Sequence, residues 1–238
     1  MKKVIILGAT SGMGRSLARL MADDGSVVGI TGRRTHLLEE IKSEKPDSYF
    51  IETFDIANTE TIAEHLQQLV NQLGGLDLLV ISSGTGHLND SLDYEIEKQT
   101  IDTNVNGFTA VCDWAYNYFR KQKYGHLVAI TSIAGLFGNR QSPAYSATKA
   151  YQIIYLESLR NKATKLGLPI FITDIRPGFV NTEMAKSEVV FWVAPVDKAT
   201  AQIYKAIRSK RKVAYITKRW KIIGNLFKII PRRIIENL

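Results

Sequence analysis

Seven short apolar runs alternate with helix-period segments along this chain, and that alternation leaves few folds open. The runs are Val4–Leu7, Val27–Thr31, Tyr49–Phe54, Leu76–Ile81, His126–Ser132, Ile170–Ile175 and Val213–Thr217. They are rich in Val and Ile and mostly apolar on both sides, as strands of a parallel sheet covered on both faces must be. Between them, Met13, Leu17, Leu20 and Met21 mark one face of a helix. Ile62, Leu66, Leu69, Val70 and Leu73 mark another, with Asn58 or Thr59 as its cap. Ile101, Val105, Phe108, Cys112, Ala115 and Phe119 form a long apolar stripe. Ser142-Pro143 supplies the N-cap and first residue of a further helix, which Gly167 stops. The pattern predicts a single α/β domain: a doubly wound sheet of seven mainly parallel strands, flanked by helices and joined by right-handed crossovers. Ligands of such sheets bind beyond the carboxyl ends of the strands, so the residues just after each strand matter most.

Composition excludes several classes. A chain of 238 residues with 45% hydrophobic and 23% charged residues is ordinary globular material. Its single cysteine, Cys112, excludes an intrachain disulfide or a multi-cysteine zinc site. No apolar run reaches the length of a membrane span. Met1-Lys2-Lys3 before Val4–Leu7 reads as the lead into a buried strand, not as a signal peptide, which predicts a cytoplasmic protein. Of the net charge of +8, residues 205–238 carry +10, with 11 Lys and Arg against Glu236, and the body carries −2. Any attraction to a polyanion belongs to this tail.

The first strand runs into Gly8-Ala9-Thr10-Ser11-Gly12-Met13-Gly14 and then a helix. Glycines here let the backbone turn tightly and approach a pyrophosphate, whose charge a helix N-terminus favours. The competing reading is a tight turn with no ligand. At the end of the second strand, Gly32 stands where a carboxylate would bind the ribose 2′-hydroxyl of NAD, and Arg33-Arg34 follow. Two guanidiniums suit a 2′-phosphate, which favours NADP(H) over NAD(H); otherwise they are a solvated pair.

Ser132 closes the fifth strand, and Tyr145 and Lys149 stand one turn apart on the next helix. A cation near a phenol lowers its pKa from about 10. Such a pair can serve as a general acid or base, while Ser132 hydrogen-bonds a substrate carbonyl. Alone, Tyr-x-x-x-Lys is commonplace and reads first as a surface pair.

Taken as a set, Gly8-x-x-x-Gly12-x-Gly14, Asp55-Ile56, Asn104, Ser132, Tyr145-x-x-x-Lys149 and Pro177-Gly178-x-Val180-x-Thr182 resemble the short-chain dehydrogenase/reductase family from the first strand to about Thr217. The resemblance implies a Rossmann-type catalytic domain over residues 1–217, with a substrate lid at 178–195, and an extension over 218–238. It implies that Tyr145 donates and accepts the proton. Lys149 would bind the nicotinamide ribose and lower the Tyr145 pKa, and Ser132 would orient the substrate oxygen. Asn104 would hold a water relaying protons to Lys149. Asp55 and Ile56 would flank the adenine, and Val180 and Thr182 would anchor the carboxamide. The reaction implied is hydride transfer between nicotinamide and a carbonyl/alcohol substrate, in a homodimer or homotetramer. The stripe from Ile101 to Phe119 and the helix after Pro143 are expected to form its four-helix interface.

Two departures stand out. Leu7 replaces the frequent Thr before Gly8, and Ile81-Ser82-Ser83-Gly84-Thr85-Gly86 replaces the usual Asn-Asn-Ala-Gly; Ser83 and Gly84 inherit the cofactor-pocket role. His87 reads as a solvated loop residue or a substrate contact. The lid holds the apolar run Val189–Val193, which either covers an apolar substrate or packs as a helix on the body. In the extension, Lys218, Lys221, Asn225 and Lys228 lie among Trp220, Ile222, Ile223, Leu226, Phe227, Ile229 and Ile230, a basic amphipathic helix ended by Pro231. Gly224 weakens it. It suits peripheral contact with an anionic membrane surface, an oligomer contact or a cover for the active site; nothing in it reads nucleic acid. Two other functions stay open at this point: a non-catalytic NADP(H)-binding regulator or scaffold, and a membrane-surface adaptor.

Overall fold

The computed structural model describes residues 2–182 and 192–226; residues 183–191 of the lid and 227–238 of the tail lie outside it. Its seven strands are β1 (Lys3–Leu7), β2 (Val27–Gly32), β3 (Tyr49–Thr53), β4 (Leu78–Ile81), β5 (Gly125–Ile130), β6 (Ile170–Pro177) and β7 (Val213–Ile216). They form one sheet in the order β3-β2-β1-β4-β5-β6-β7, every pair parallel. The order reverses between β1 and β4, so the loops after these two strands diverge and open a crevice.

Helices α1 (Gly12–Asp23), α2 (Thr35–Glu44) and α7 (Val196–Arg208) cover one face, where Leu17, Met21, Leu38, Ile41 and Ile203 meet Val4, Ile6, Val28 and Val80. Helices α3 (Ile62–Leu73), α5 (Phe108–Gln122) and α6 (Pro143–Leu166) cover the other through Leu66, Leu69, Phe108, Cys112, Phe119 and Leu156. Alternate residues of β1 feed the two clusters: Val4 and Ile6 one, Ile5 and Leu7 the other. The apolar character on both sides of each strand has this cause.

Three local expectations change. The cap of α3 is Thr61, and its hydroxyl makes no capping bond to the helix. Ser142 stands at the start of α6, but its side chain does not cap either; the Ala144 N–H donates to Glu97 Oε2 at 2.7 Å instead. Glu97 belongs to α4 (Tyr94–Ile101), so a tertiary contact replaces a local one. Third, the stripe from Ile101 to Phe119 is not one helix. A π-helical turn, Asp102–Gly107, separates α4 from α5. Phe108, Cys112, Ala115 and Phe119 of the stripe are buried against the sheet of their own chain and are not free to pair with a second copy. Among its large apolar residues, α6 exposes Ile154, at 62% exposure, with Tyr151 beside it on the same face, and Leu166 at its end.

After β7, helix α8 (Lys218–Leu226) is the described part of the amphipathic extension. Its Trp220 is buried, whereas Ile222 is 71% exposed. Gly224 does not merely weaken the helix, because it lies against the Tyr215 ring, where a Cβ would approach to 2.6 Å. Among the described residues, no helix is long and apolar enough to cross a membrane.

His126 on β5 is buried, with Nε2 2.8 Å from the Thr173 hydroxyl. Burial, reinforced by Lys2 and Lys210, lowers its pKa from 6.5 to about 4. Between these values the unfolded chain binds more protons than the folded one. The stabilising effect of neutral His126 is therefore complete above about pH 6.5 and is lost as the pH falls through 4. Urea unfolding should show a loss of about 3 kcal/mol across this window, and His126→Asn should remove that component of the slope.

Candidate active site

Strand β1 ends in a turn that admits no side chain. A Cβ on Gly14 would lie 2.1 Å from the Gly8 carbonyl oxygen, and one on Gly8 would lie 2.6 Å from the Ser83 nitrogen. The turn thereby brings the start of α1 against the loop after β4. Ser11 precedes α1 without a side-chain capping bond, and the first turn of the helix holds no acid. Its unpaired N–H groups and dipole thus face outward without a competing carboxylate. Arg34 reaches over the same turn, with Nη2 2.9 Å from both the Thr10 and the Ser11 hydroxyl. Thr182 arrives from beyond β6, its methyl 3.2 Å from where a Gly12 Cβ would stand. This cradle of backbone amides fits a dinucleotide pyrophosphate.

Further along the crevice, Arg33 Nη1 lies 3.3 Å from Asp55 Oδ2, while Asp55 Oδ1 accepts the Ala57 N–H. Ile56 is buried against the π-helical turn at Gly107. Arg33 and Arg34 therefore part ways: Arg34 lies on the glycine-rich turn, and Arg33, 72% exposed, pairs with the carboxylate after β3.

At the chemical end, Ser132 heads a 3-10 turn, Ile133–Leu136, and accepts the Ala134 N–H. Burial raises the Tyr145 pKa, and the influence of the Ser132 hydroxyl opposes the rise. The expected lowering by Lys149 is not what dominates. The Lys149 ammonium lies 5.7 Å from the Tyr145 ring centre and is directed to the Gln152 Oε1 at 3.0 Å and the Ile130 carbonyl at 3.3 Å. Lys149 is itself buried, which lowers its own pKa to about 8 against the opposing charge of Asp174. Asp174 is fully buried, bonded to the Thr131 hydroxyl at 2.6 Å and paired with Arg176 at 2.7 Å.

Asn104, in the π-helical turn, is fully buried and ties three elements together. Its Oδ1 accepts the Thr85 N–H at 2.9 Å, and its Nδ2 donates to the Thr85 carbonyl at 2.7 Å and the Thr148 hydroxyl at 3.1 Å. The unusual loop after β4 is thus clamped by both ends of one amide. Gly84 lies against Asn104 and Lys149, and Gly86 lies on the Tyr145 ring, where a Cβ would meet carbon at 2.4 Å. His87 is exposed and hydrogen-bonds the Thr85 hydroxyl at 3.1 Å.

Sequence reading missed Thr85, Gly86 and Gln152. Gln152 is buried at 1% exposure, and its Nε2 donates to the Asn104 carbonyl at 2.9 Å. Its amide therefore bridges Lys149 to Asn104, the residue to which the family resemblance gives a water. The available signal was a glutamine one turn beyond Thr148, on a helix face of otherwise small or apolar buried residues.

Behind Pro177, the Gly178 N–H donates to the Ile216 carbonyl. Val180 pairs with Ala194 across the base of the lid, and its side chain lies in the core. Trp220 of α8 is seated on Gly178 and meets Phe179 and Trp192 edge to face. The described end of the extension thus packs on the lid base. Of the lid's apolar run, Val189–Phe191 lie outside the described residues, as does the tail beyond 226.

A family model described as short chain dehydrogenase matches residues 2–190. This chain belongs to that family. It is accordingly an oxidoreductase of a nicotinamide-using kind. An uncharacterized oxidoreductase of Myxococcus xanthus (strain DK1622) is 34% identical over 188 residues, 77% of this chain and 74% of the relative. One from Staphylococcus aureus (strain USA300) is 30% identical over 184 residues, 76% and 79% of the two chains. Among solved structures, the closed form of a serine dehydrogenase complexed with NADP+ superposes with a TM-score of 0.80 at 25% identity, covering 90% of this chain and 93% of that one. ElxO with NADP bound shares the fold, with a TM-score of 0.79 at 23% identity over 91% and 97%.

Asn104 has a measurable structural task. Asn104→Leu leaves the N–H and carbonyl of Thr85 without their side-chain partner. Urea unfolding should register a loss of about 1–3 kcal/mol. Full retention of stability would mean that the loop after β4 is held by something else.

Proposed function

We propose that this dehydrogenase transfers hydride between NADP(H) and a carbonyl/alcohol substrate, with Tyr145 as general acid and base. The observation that carries the reading is the convergence of Ser132, Tyr145, Lys149 and Asn104 at the carboxyl ends of β4 and β5, beside a glycine cradle that excludes side chains. NADP(H) is the assigned cofactor because Arg34 stands on the cradle at Thr10 and Ser11, while the Asp55 carboxylate beyond β3 is already engaged by Arg33 and the Ala57 N–H. Gly8, Gly12, Met13 and Gly14 would hold the pyrophosphate. Asp55 and Ile56 would flank the adenine. Ser83, Gly84, Lys149, Pro177, Gly178, Val180 and Thr182 would hold the nicotinamide end. When bound, the cofactor supplies or accepts the hydride.

The chain's own groups do the rest. The Ser132 hydroxyl orients a substrate oxygen toward Tyr145. Because burial outweighs the influence of Ser132, Tyr145 rests as the neutral phenol and is set to donate its proton to that oxygen in carbonyl reduction. In alcohol oxidation it must first be deprotonated, so the reverse direction should rise with pH through the Tyr145 pKa. Gly86 against the ring fixes its height, and the buried Lys149 adds positive potential beneath it.

Two measurements test this reading. Arg34→Ala should raise the Kd for NADPH by roughly 10- to 150-fold, the effect of losing a charge-assisted hydrogen bond, and change that for NADH little. Equal affinity of the parent protein for the two cofactors would remove the preference. Tyr145→Phe keeps the ring and removes the transferable proton. With a panel of aldehydes, ketones and alcohols, it should retain NADPH binding and lose about 10²- to 10⁴-fold in turnover. Lys149→Met should also weaken cofactor binding and move the alcohol-oxidation profile alkaline, whereas Ser132→Ala should lower turnover without moving it. Turnover by Tyr145→Phe equal to that of the parent would leave the fold without this chemistry.

A further inference from the structure

We propose that Gln152 is a positioning residue for Lys149: its amide fastens the ammonium to the backbone of the π-helical turn and holds it charged beneath Gly84. The inference rests on the reading of Lys149 as part of the cofactor and proton site. Its own observations are geometric. Gln152 is buried at 1% exposure, and both ends of its amide are used. Oε1 accepts from the Lys149 ammonium at 3.0 Å, and Nε2 donates to the Asn104 carbonyl at 2.9 Å.

The Asn104 carbonyl belongs to a turn where the helix ladder is interrupted, a place where backbone oxygens need partners from outside the helix. Its side chain is occupied in turn by Thr85 and Thr148. Lys149, Gln152, Asn104 and the loop after β4 thus form one connected set. The two amides differ in what they can do. Asn104 holds backbone, and Gln152 alone presents a carbonyl dipole to the buried ammonium at hydrogen-bond distance from within a side chain.

An acceptor at that distance favours the charged form of a lysine that burial otherwise neutralises. The other groups acting on Lys149 are the Tyr145 ring on the same helix, Asp174 on β6 and the Ile130 carbonyl on β5. Gln152 passes no net proton, since an amide would have to become an imidic acid to do so. Its effect on the reaction is through where Lys149 stands and whether it is charged.

The test reads Lys149 directly in the full chain without cofactor or substrate. The protein is labelled with [ε-¹³C]lysine, the Lys149 resonance is identified by its loss in Lys149→Met, and its shift is followed with pH. Gln152→Leu, of similar volume, should lower the midpoint by about one to two pH units, the effect of losing a hydrogen bond to a charged group. Gln152→Glu places a carboxylate at the same distance and should raise it. Any apolar side chain would leave the Asn104 carbonyl short of a partner, so if Gln152→Leu does not fold, Gln152→Glu decides: a rise supports the proposal and no change overturns it. Unchanged midpoints in both folded variants overturn it as well. The activity profile is a separate readout. Its Lys149-dependent limb should move with the midpoint in each variant, and a limb that stays put while the midpoint moves overturns the part of the proposal that concerns the reaction. Because the titration needs no turnover, an active Tyr145→Phe would sink the proposed acid without touching this result. An inactive Tyr145→Phe beside an unmoved Lys149 midpoint would do the reverse.

Discussion

All seven strands are parallel, and this one constraint organises the molecule. A parallel sheet needs a crossover for each strand and cover on both faces. The helices must therefore divide between two layers, and every strand must end on the same edge. That edge gathers the loops after β1 to β6, which carry every group assigned to the site except those on α1, on α6 and in the π-helical turn. The reversal of winding between β1 and β4 then decides where along the edge a cleft opens. Chemistry is concentrated there because the topology leaves no other place where so many loop ends meet.

Such an edge carries a cost that the site resolves with side chains. Loop backbone close to a core must find hydrogen-bond partners, and the loop after β4 finds them in one asparagine. Asn104 serves both polar groups of Thr85, and Gln152 serves the carbonyl of Asn104. The same logic explains Glu97, which satisfies an N–H at the head of the helix that bears Tyr145 and Lys149. Each of these polar side chains does structural work a few ångströms from groups assigned to chemistry. A substitution at Asn104 will therefore mix loss of stability with loss of turnover unless the two are measured separately.

How much of this was legible follows from where the information sits. The strands were visible because burial on both faces writes itself into consecutive apolar residues, as in Val4–Leu7 and Leu78–Ile81. The end of α6 at Gly167 was visible because a left-handed backbone, with φ of +66° there, favours glycine at a helix C-terminus. The catalytic candidates were legible only as a set, since Tyr-x-x-x-Lys alone is common. What was not legible was set by contacts between distant residues. The π-helical turn inside the Ile101–Phe119 stripe keeps the apolar spacing of a helix, so periodicity passes over it. The stripe itself was assigned to a partner copy, when its apolar side faces the sheet. Gln152 is separated from Asn104 by helix α5, strand β5 and the 3-10 turn after it, and no local pattern says that their polar groups meet.

The pKa ordering at the site carries the argument one step further. Sequence logic places a cation one turn from a phenol and expects the cation to win. Inside the structure, burial acts on both groups at once: it raises Tyr145 and lowers Lys149 toward about 8. A lysine so placed is charged near neutrality only through the groups around it, which are Asp174 behind it and the oxygens of Gln152 and Ile130 in contact with it. Burial also raises the Asp174 pKa, and Arg176 and the Thr131 hydroxyl oppose that rise. The charge of Lys149 therefore depends on a chain of buried partners reaching from α6 through β5 to β6. Removing Arg176 would leave the Asp174 carboxylate buried without its counter-charge, a change that costs about 3–5 kcal/mol in comparable buried pairs. Loss of Arg176 would also raise the Asp174 pKa further, and protonation of Asp174 would remove the charge that holds the Lys149 proton, so stability and proton chemistry at this edge of the sheet rest on the same buried charges.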